Sequence, residues 1–293
     1  MSALETRIAA LPIWQGRPRI EPLVGGLSNA SFSVIDGTGR YVARAGTDYP
    51  FHHVSRDREL MTARAAHEAG FAPEVVYAET GLMVSRFIEG RVFGEADVRA
   101  NIERIAALVG RFHREMPAFV TGAGFMFWVF HVIRDYAHTL AGSRNPLTGR
   151  LPELLAVAAD LEAAQVPLPI VFGHNDLLPA NLIDDGRRLW LIDFEYAGFN
   201  TAMFDLAGLA SNAGFDAVQS LALLDAYFGP SSRAYRRSHA AMQCASLLRE
   251  ALWALVSEMY LSAPGADYDA YARQNFDRFD AALAVFRRKT TEA

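Results

Sequence analysis

One turn, flanked by two short apolar runs, does most to limit what this chain can fold into. Residues 173–196 read GHNDLLPANLIDDGRRLWLIDFEY. Within them "ANLI" and "RLWLIDF" stand on either side of Asp184-Asp185-Gly186-Arg187. An Asp-Gly pair between apolar runs is a strong short-range signal for a β-hairpin, because both residues tolerate the backbone that a tight turn needs. "LPIVFGH" upstream reads as a strand, and Pro179 interrupts any helix that would follow it. Antiparallel pairing is expected to bring Asn181, at the start of the first run, beside Asp193, at the end of the second. Asp176 lies within loop reach of both. Acids at the mouths of apolar runs are costly unless water or a partner solvates them. Either these side chains face solvent, or a cation sits among them. Two carboxylates and a carboxamide form an all-oxygen set that suits Mg²⁺.

The spacing H-N-D-x-x-x-x-N at 174–181 is that of the catalytic loop of protein kinases, and "IDFE" at 192–195 stands where those enzymes place a metal-binding D-F-G. Asn175 replaces the arginine of that loop, Glu195 replaces the glycine, and no A-P-E segment follows. "HNDLLPAN" with "IDFEYAGFNTAMFDLA" resembles instead the choline/ethanolamine kinase branch of the aminoglycoside-phosphotransferase-like small-molecule kinases, and the likeness extends more weakly over nearly the whole chain. The resemblance implies an α+β, bilobal, protein-kinase-like fold with a small β-rich N-lobe and a larger, mainly helical C-lobe. It implies Asp176 as the catalytic group that orients the acceptor hydroxyl and takes its proton, Mg²⁺ on Asn181 and Asp193, and ATP as co-substrate. His174 becomes a buried support of the loop. Asp205, which opens an apolar helical run, reads as an N-cap and by resemblance braces the catalytic loop. Asn200 in "EYAGFN" is closer to the choline kinase pattern than to the Gly-Asp-Pro of aminoglycoside enzymes.

The only lysine is Lys289, near the C-terminus. A kinase of this sequence therefore needs an arginine on the nucleotide phosphates. "RIEPLVGGLSNASFSVIDGTGRYVARAG" reads as three strands, and the resemblance puts Arg44 on the third at the position of the kinase lysine. Arginine offers a permanent charge and a planar fork for phosphate. Gly25 and Gly26 allow close approach of backbone to phosphate, and Ser28 adds a hydroxyl. The helical segment "SRDRELMTARAAHEAG" offers Glu59 to hold Arg44; a solvated helix face, with Arg56 and Arg58 alongside, is the other reading. "EVVYA" and "LMVSRFIEG" complete a five-stranded lobe. The resemblance places the interlobe hinge at Ser85–Ile88, with Ser85 and Phe87 near the adenine edge. The expected division is residues 1–88 for the nucleotide-binding lobe and 89–293 for the catalytic and acceptor-binding lobe, where helical periodicity dominates.

An ammonium-bearing acceptor wants aromatic faces and acids close by. "REALWALVSEMY" resembles the family's acceptor helix: Trp253 matches its second tryptophan, and Glu250 stands where the first would be. Glu250, Trp253, Glu195 and Tyr196 together suit a small cationic amino alcohol, choline or ethanolamine. Another acceptor on the same fold (an aminoglycoside, thiamine or a sugar) and a catalytically silent nucleotide-binding protein stay open. A net charge of −5 with scattered basic residues argues against nucleic acid. The absence of a long apolar run argues against membrane insertion, and no cleavable leader is evident. The single cysteine, Cys244, excludes an internal disulfide. A cytoplasmic location is the expectation.

Overall fold

The computed structural model describes residues 2–23, 29–143, 145–261 and 267–291, with the side chains of 146 and 289–291 left aside. The predicted Gly25, Gly26 and Ser28 lie outside the described residues. The chain divides into two compact units: residues 1–91 with 183–195, and 92–182 with 196–293.

In the first unit, helix α1 (Ala3–Ala9) begins with a Ser2/Glu5 capping box. Strands β1 (Arg19–Leu23), β2 (Ala30–Asp36) and β3 (Gly39–Ala45) run antiparallel, helix α2 (Arg56–Glu68) follows, and β4 (Val75–Glu79) and β5 (Leu82–Arg86) complete the sheet. The strand order is β1-β2-β3-β5-β4. The core beneath it comes from the period-two pattern: Phe32 and Val34, Tyr41 and Ala43, and Leu82 and Val84 pack with Ile8 and Leu11. On β3, Arg44 therefore projects from the opposite face to Tyr41 and Ala43. A two-residue strand, β6 (Arg91–Val92), marks the boundary of this unit.

The second unit contains α3 (Glu95–Ala100), α4 (Ile102–Glu115), α5 (Val129–Ala141), α6 (Leu151–Ala163) and strand β7 (Ile170–Gly173). The hairpin strands β8 (Leu182–Asp184) and β9 (Leu189–Leu191), which from residue 183 on belong to the first unit, flank the Asp-Gly turn. There Asp185 accepts the N–H groups of Arg187 and Arg188 at 2.8 Å and the Trp190 indole at 2.8 Å. Leu191 N–H donates to the Phe71 carbonyl at 2.9 Å, which ties the hairpin to the chain leaving α2 in the first unit. Strand β10 (Gly198–Thr201) then leads to α7 (Ala202–Asn212), α8 (Ala217–Phe228), α9 (Arg233–Tyr260) and α10 (Tyr268–Thr291).

Helix α9 is buried nearly all round from Ala241 to Ser257, and α5, α6, α7 and α10 pack against it. Burial pushes the Cys244 thiol on this helix up to about 12, so it behaves as a packing group. Among the described residues no helix is long and apolar enough to cross a membrane. Strand β10, which the sequence did not announce, pairs antiparallel with β7 and sets Gly198 opposite Gly173. A Cβ on Gly198 would lie 2.6 Å from the Phe125 ring and 2.8 Å from the Phe125 carbonyl oxygen.

Gly198→Ala is therefore expected to destabilise the chain by about 1–3 kcal/mol through overpacking against backbone. That is a fall of about 2–4 °C in Tm for each kcal/mol. Gly149→Ala, where an added Cβ meets nothing within 4 Å, is the control. Equal melting temperatures for the two variants would refute this account of the strand pair.

Candidate active site

The loop after β7 is fixed by one buried carboxylate. Asp205 is 2% exposed and lies inside α7, whose N-cap position is Thr201. The expectation that Asp205 is an N-cap is thus corrected: the helix starts earlier, and its first turn faces inward. Its Oδ2 accepts the His174 N–H and its Oδ1 the Asn175 N–H, each at 2.7 Å. His113 Nε2 donates to Oδ2 at 2.8 Å, and His113 Nδ1 accepts from the Tyr227 hydroxyl at 2.7 Å. The Tyr227 phenol is pushed up to about 12 by burial and by Asp205, so it stays a donor. Burial alone would raise the Asp205 pKa. The hydrogen bond from His113, with the backbone donors, outweighs it and holds the carboxyl below its usual value.

This grip lets Asn175 adopt a left-handed backbone, φ 63°, which only Asn, Asp and Gly take readily. The Asn175 amide donates to the carbonyls of Tyr196 at 3.0 Å and Gly198 at 3.1 Å and accepts from Asn200 at 3.0 Å. Asn200 is fully buried and bonds this amide. His174 is 1% exposed, with its ring 6.2 Å from that of Phe112. Asp176 is left half-buried at the loop's end, and Asn181 Nδ2 donates to its carbonyl at 2.9 Å. Because the amide nitrogen of Asn181 is committed inward, its oxygen is the group left to serve as a ligand.

In the same unit, the helix residues named from sequence converge. Trp253 Nε1 donates to the Tyr196 hydroxyl at 2.9 Å, and Trp253 stands edge-on to Tyr268 and Tyr271 at 6.0 and 6.1 Å. Glu250 accepts from the Tyr271 hydroxyl at 3.2 Å and pairs with Arg249 at 2.9 Å. Arg249 is 3% exposed, with its guanidinium 5.2 Å above the Tyr196 ring and 5.7 Å from that of Phe127. Burial opposes the charge of Arg249, but Glu250 and its other neighbours hold its pKa above the ordinary value. The charge of Glu250, followed by burial, raises the Tyr271 phenol. Arg249, Glu250 and Asp176 line one small cavity of about 10 Å³, room for about one water. Sequence reasoning passed over Arg249, Tyr268 and Tyr271; a charged pair inside the apolar run "ASLLREALWALV" was the available signal.

The first unit gathers a second charged cluster. Arg44 pairs with Glu59 at 2.6 Å, with Asp193 at 2.6 Å and with Glu195 at 3.2 Å. Burial works against its charge, yet the three acids hold its pKa above the ordinary arginine value. Asp193 is another left-handed residue, φ 69°. Glu195 belongs to this cluster, where its Oε2 also accepts from Asn29 at 3.1 Å and Arg56 at 3.0 Å. Ser85 sits on β5 opposite Val42, and the Phe87 N–H donates to the Arg40 carbonyl at 2.9 Å. Among the described residues no group of three or more His, Cys, Asp or Glu side chains is arranged to hold a metal ion. The donors at hand are hard oxygens, and Mg²⁺ commonly takes one or two carboxylates and completes its shell with phosphate and water.

A sequence profile of the phosphotransferase enzyme family matches residues 19–241. The crystal structure of a choline/ethanolamine kinase family protein from Mesorhizobium loti is 30% identical, with TM-score 0.76 over 96% of this chain and 93% of that one. A probable ethanolamine kinase of Arabidopsis thaliana is 29% identical over 69% of this chain and 58% of its own length. LicA, solved in complex with AMP, has the same fold, with TM-score 0.77 and 20% identity over 98% and 100% of the two chains.

Asp205→Asn keeps the shape but puts an amide donor against one of the loop N–H groups, and is expected to destabilise by about 3 kcal/mol or more at neutral pH. The Asp205 pKa is lower in the folded chain than the unfolded value of about 3.9. Its contribution is therefore complete above that value and is lost as pH falls through the folded pKa. Melting curves from pH 7 down to 3 should show wild type and variant converging only at the acid end. A constant gap across that range would show that ionised Asp205 does not hold the loop.

Proposed function

This chain belongs to the phosphotransferase enzyme family, in its choline/ethanolamine kinase branch, and transfers phosphoryl groups to an alcohol; we propose that it is an ATP- and Mg²⁺-dependent kinase of a small cationic amino alcohol, choline or ethanolamine. What supports the reading is that Asp176, on a loop of fixed backbone, and Glu250, on the helix bearing Trp253, come together around one water-sized gap.

Asp176 accepts the hydrogen bond of the acceptor hydroxyl. As the alcohol oxygen bonds to the γ-phosphorus, the bridging β–γ oxygen leaves with its electron pair on ADP and the proton passes to Asp176. Arg44 neutralises charge on the phosphates through its fork. Asn181 and Asp193 would hold Mg²⁺, which supplies charge neutralisation on the phosphate oxygens when bound.

Acids and aromatic rings gathered on one helix and its neighbours suit a small ammonium-bearing acceptor. The Tyr196 face already carries the guanidinium of Arg249, so Trp253, Tyr268 and Tyr271 are the aromatic faces that remain.

Asp176→Asn is expected to keep MgATP binding while lowering kcat by about two orders of magnitude or more. Ordinary turnover in that variant would refute the reading of the loop. An ATP-consumption assay across choline, ethanolamine, thiamine, sugars and an aminoglycoside should show the highest kcat/KM for one of the first two. Trp253→Ala should raise KM for choline more than for ethanolamine, since a methylated ammonium relies on aromatic faces. Equal KM shifts for both would place the ammonium elsewhere.

A further inference from the structure

Arg56, at the start of α2, touches nearly everything that Arg44 touches. Its Nη1 bonds Glu59 Oε2 at 2.6 Å and Glu195 Oε2 at 3.0 Å, and its Nε donates to the Thr47 carbonyl at 2.8 Å. The two arginines thus divide one glutamate between them: Glu59 gives Oε1 to Arg44 and Oε2 to Arg56. They also share a single oxygen of Glu195. Asp193 touches Arg44.

The backbone is shaped to admit this. A Cβ on Gly46 would lie 2.2 Å from Asn29 Oδ1 and 3.2 Å from both Cζ and Nε of Arg56. Only a bare glycine lets Asn29 and the guanidinium lie flat against the chain leaving β3. Arg44, Arg56, Asn29 and Glu59 then line a cavity of about 620 Å³ in the first unit. Its size suits a group much larger than a water.

The charge count gives Arg56 its role. Glu59, Asp193 and Glu195 bring three negative charges, and Arg44 alone could not balance them while also binding phosphate. Arg56 takes half of Glu59 and a share of Glu195. That leaves the Nη2 edge of Arg44 able to trade carboxylate for phosphate when nucleotide arrives. We propose that Arg56 is a positioning residue of the nucleotide site: by neutralising Glu59 and Glu195 it keeps the fork of Arg44 available to phosphate. The inference rests on the kinase reading above, since it presumes that Arg44 meets ATP.

The test is direct MgATP binding by calorimetry on the full chain, together with steady-state kinetics, for wild type, Arg56→Gln, Arg56→Lys, Glu195→Gln and the double variant Arg56→Gln/Glu195→Gln. In Arg56→Gln two glutamates draw on Arg44, and Kd and KM for ATP should rise about tenfold or more. KM for the acceptor should stay within about twofold. Lysine should recover part of the loss, because it keeps the charge without the fork. The second change, Glu195→Gln, should bring ATP affinity back toward wild type by removing the anion that Arg56 had balanced. A merely structural role would move both KM values together and would make the two changes add. Wild-type ATP affinity in Arg56→Gln, a parallel rise in acceptor KM, or additive losses in the double variant would each overturn the proposal while leaving the kinase reading intact. If Arg56→Gln fails to fold, Arg56→Lys and the double variant carry the same comparison. A wild-type chain that binds no MgATP would overturn both.

Discussion

The candidate catalytic loop depends on one ionised carboxylate kept almost wholly out of water. A carboxylate at the depth of Asp205 would ordinarily take up a proton. It does not, because two consecutive backbone N–H groups and a histidine N–H converge on its two oxygens. Both N–H groups are delivered just before the left-handed Asn175 turns the chain toward Asp176. Such a residue stores strain of about 1–3 kcal/mol, which the charge-assisted bonds offset. Gly173 completes the arrangement: a Cβ there would lie 2.7 Å from Asn175 Oδ1 and 3.2 Å from Asp205 Oδ2. The glycine and the asparagine of "GHND" therefore shape the backbone that carries Asp176.

The same problem recurs in the first unit with opposite sign. Arg44 and Arg56 are mostly buried guanidiniums, each with about 15% of its side chain exposed. They are stable because each bonds more than one carboxylate. A lysine could not replace either geometry, since an ammonium is a point charge without two parallel edges. A chain whose only lysine lies near its C-terminus has thus committed its charged core to arginine.

Much of this was legible in the sequence, and the limits have physical causes. The Asp-Gly turn, the five strands and the helices from α6 onward follow from local pattern, where period and turn chemistry act over a few residues. Position 205 was misread because an acid opening an apolar run looks the same whether it caps the helix or buries itself one turn in. Three-dimensional partners decide that, and His113 lies far away in sequence. For Glu59 a solvated helix face beside Arg56 and Arg58 stays open in the sequence, because Glu195, which also binds Arg56, is 139 residues distant from it. Arg249 and Tyr271 were missed for a similar reason: each looks like surface until Tyr196 and Glu250 are folded against it. Strand β10 is four residues with little alternation of its own, and exists because β7 is there to pair with it.

The two charged clusters, taken separately, follow one rule. In the first, Arg44 and Arg56 are held by Glu59, Asp193 and Glu195; in the second, Arg249 is held by Glu250. A guanidinium this deep in a fold is stable only while its carboxylates stay with it, so each cluster fixes its acids as firmly as its arginines. The acids differ in burial. Glu59, Glu195 and Glu250 are at most 9% exposed, whereas Asp176 and Asp193 keep intermediate exposure. On the proposed reading the buried acids hold arginines in place, and Asp176 and Asp193, the more accessible pair, are the carboxylates that acceptor and metal reach.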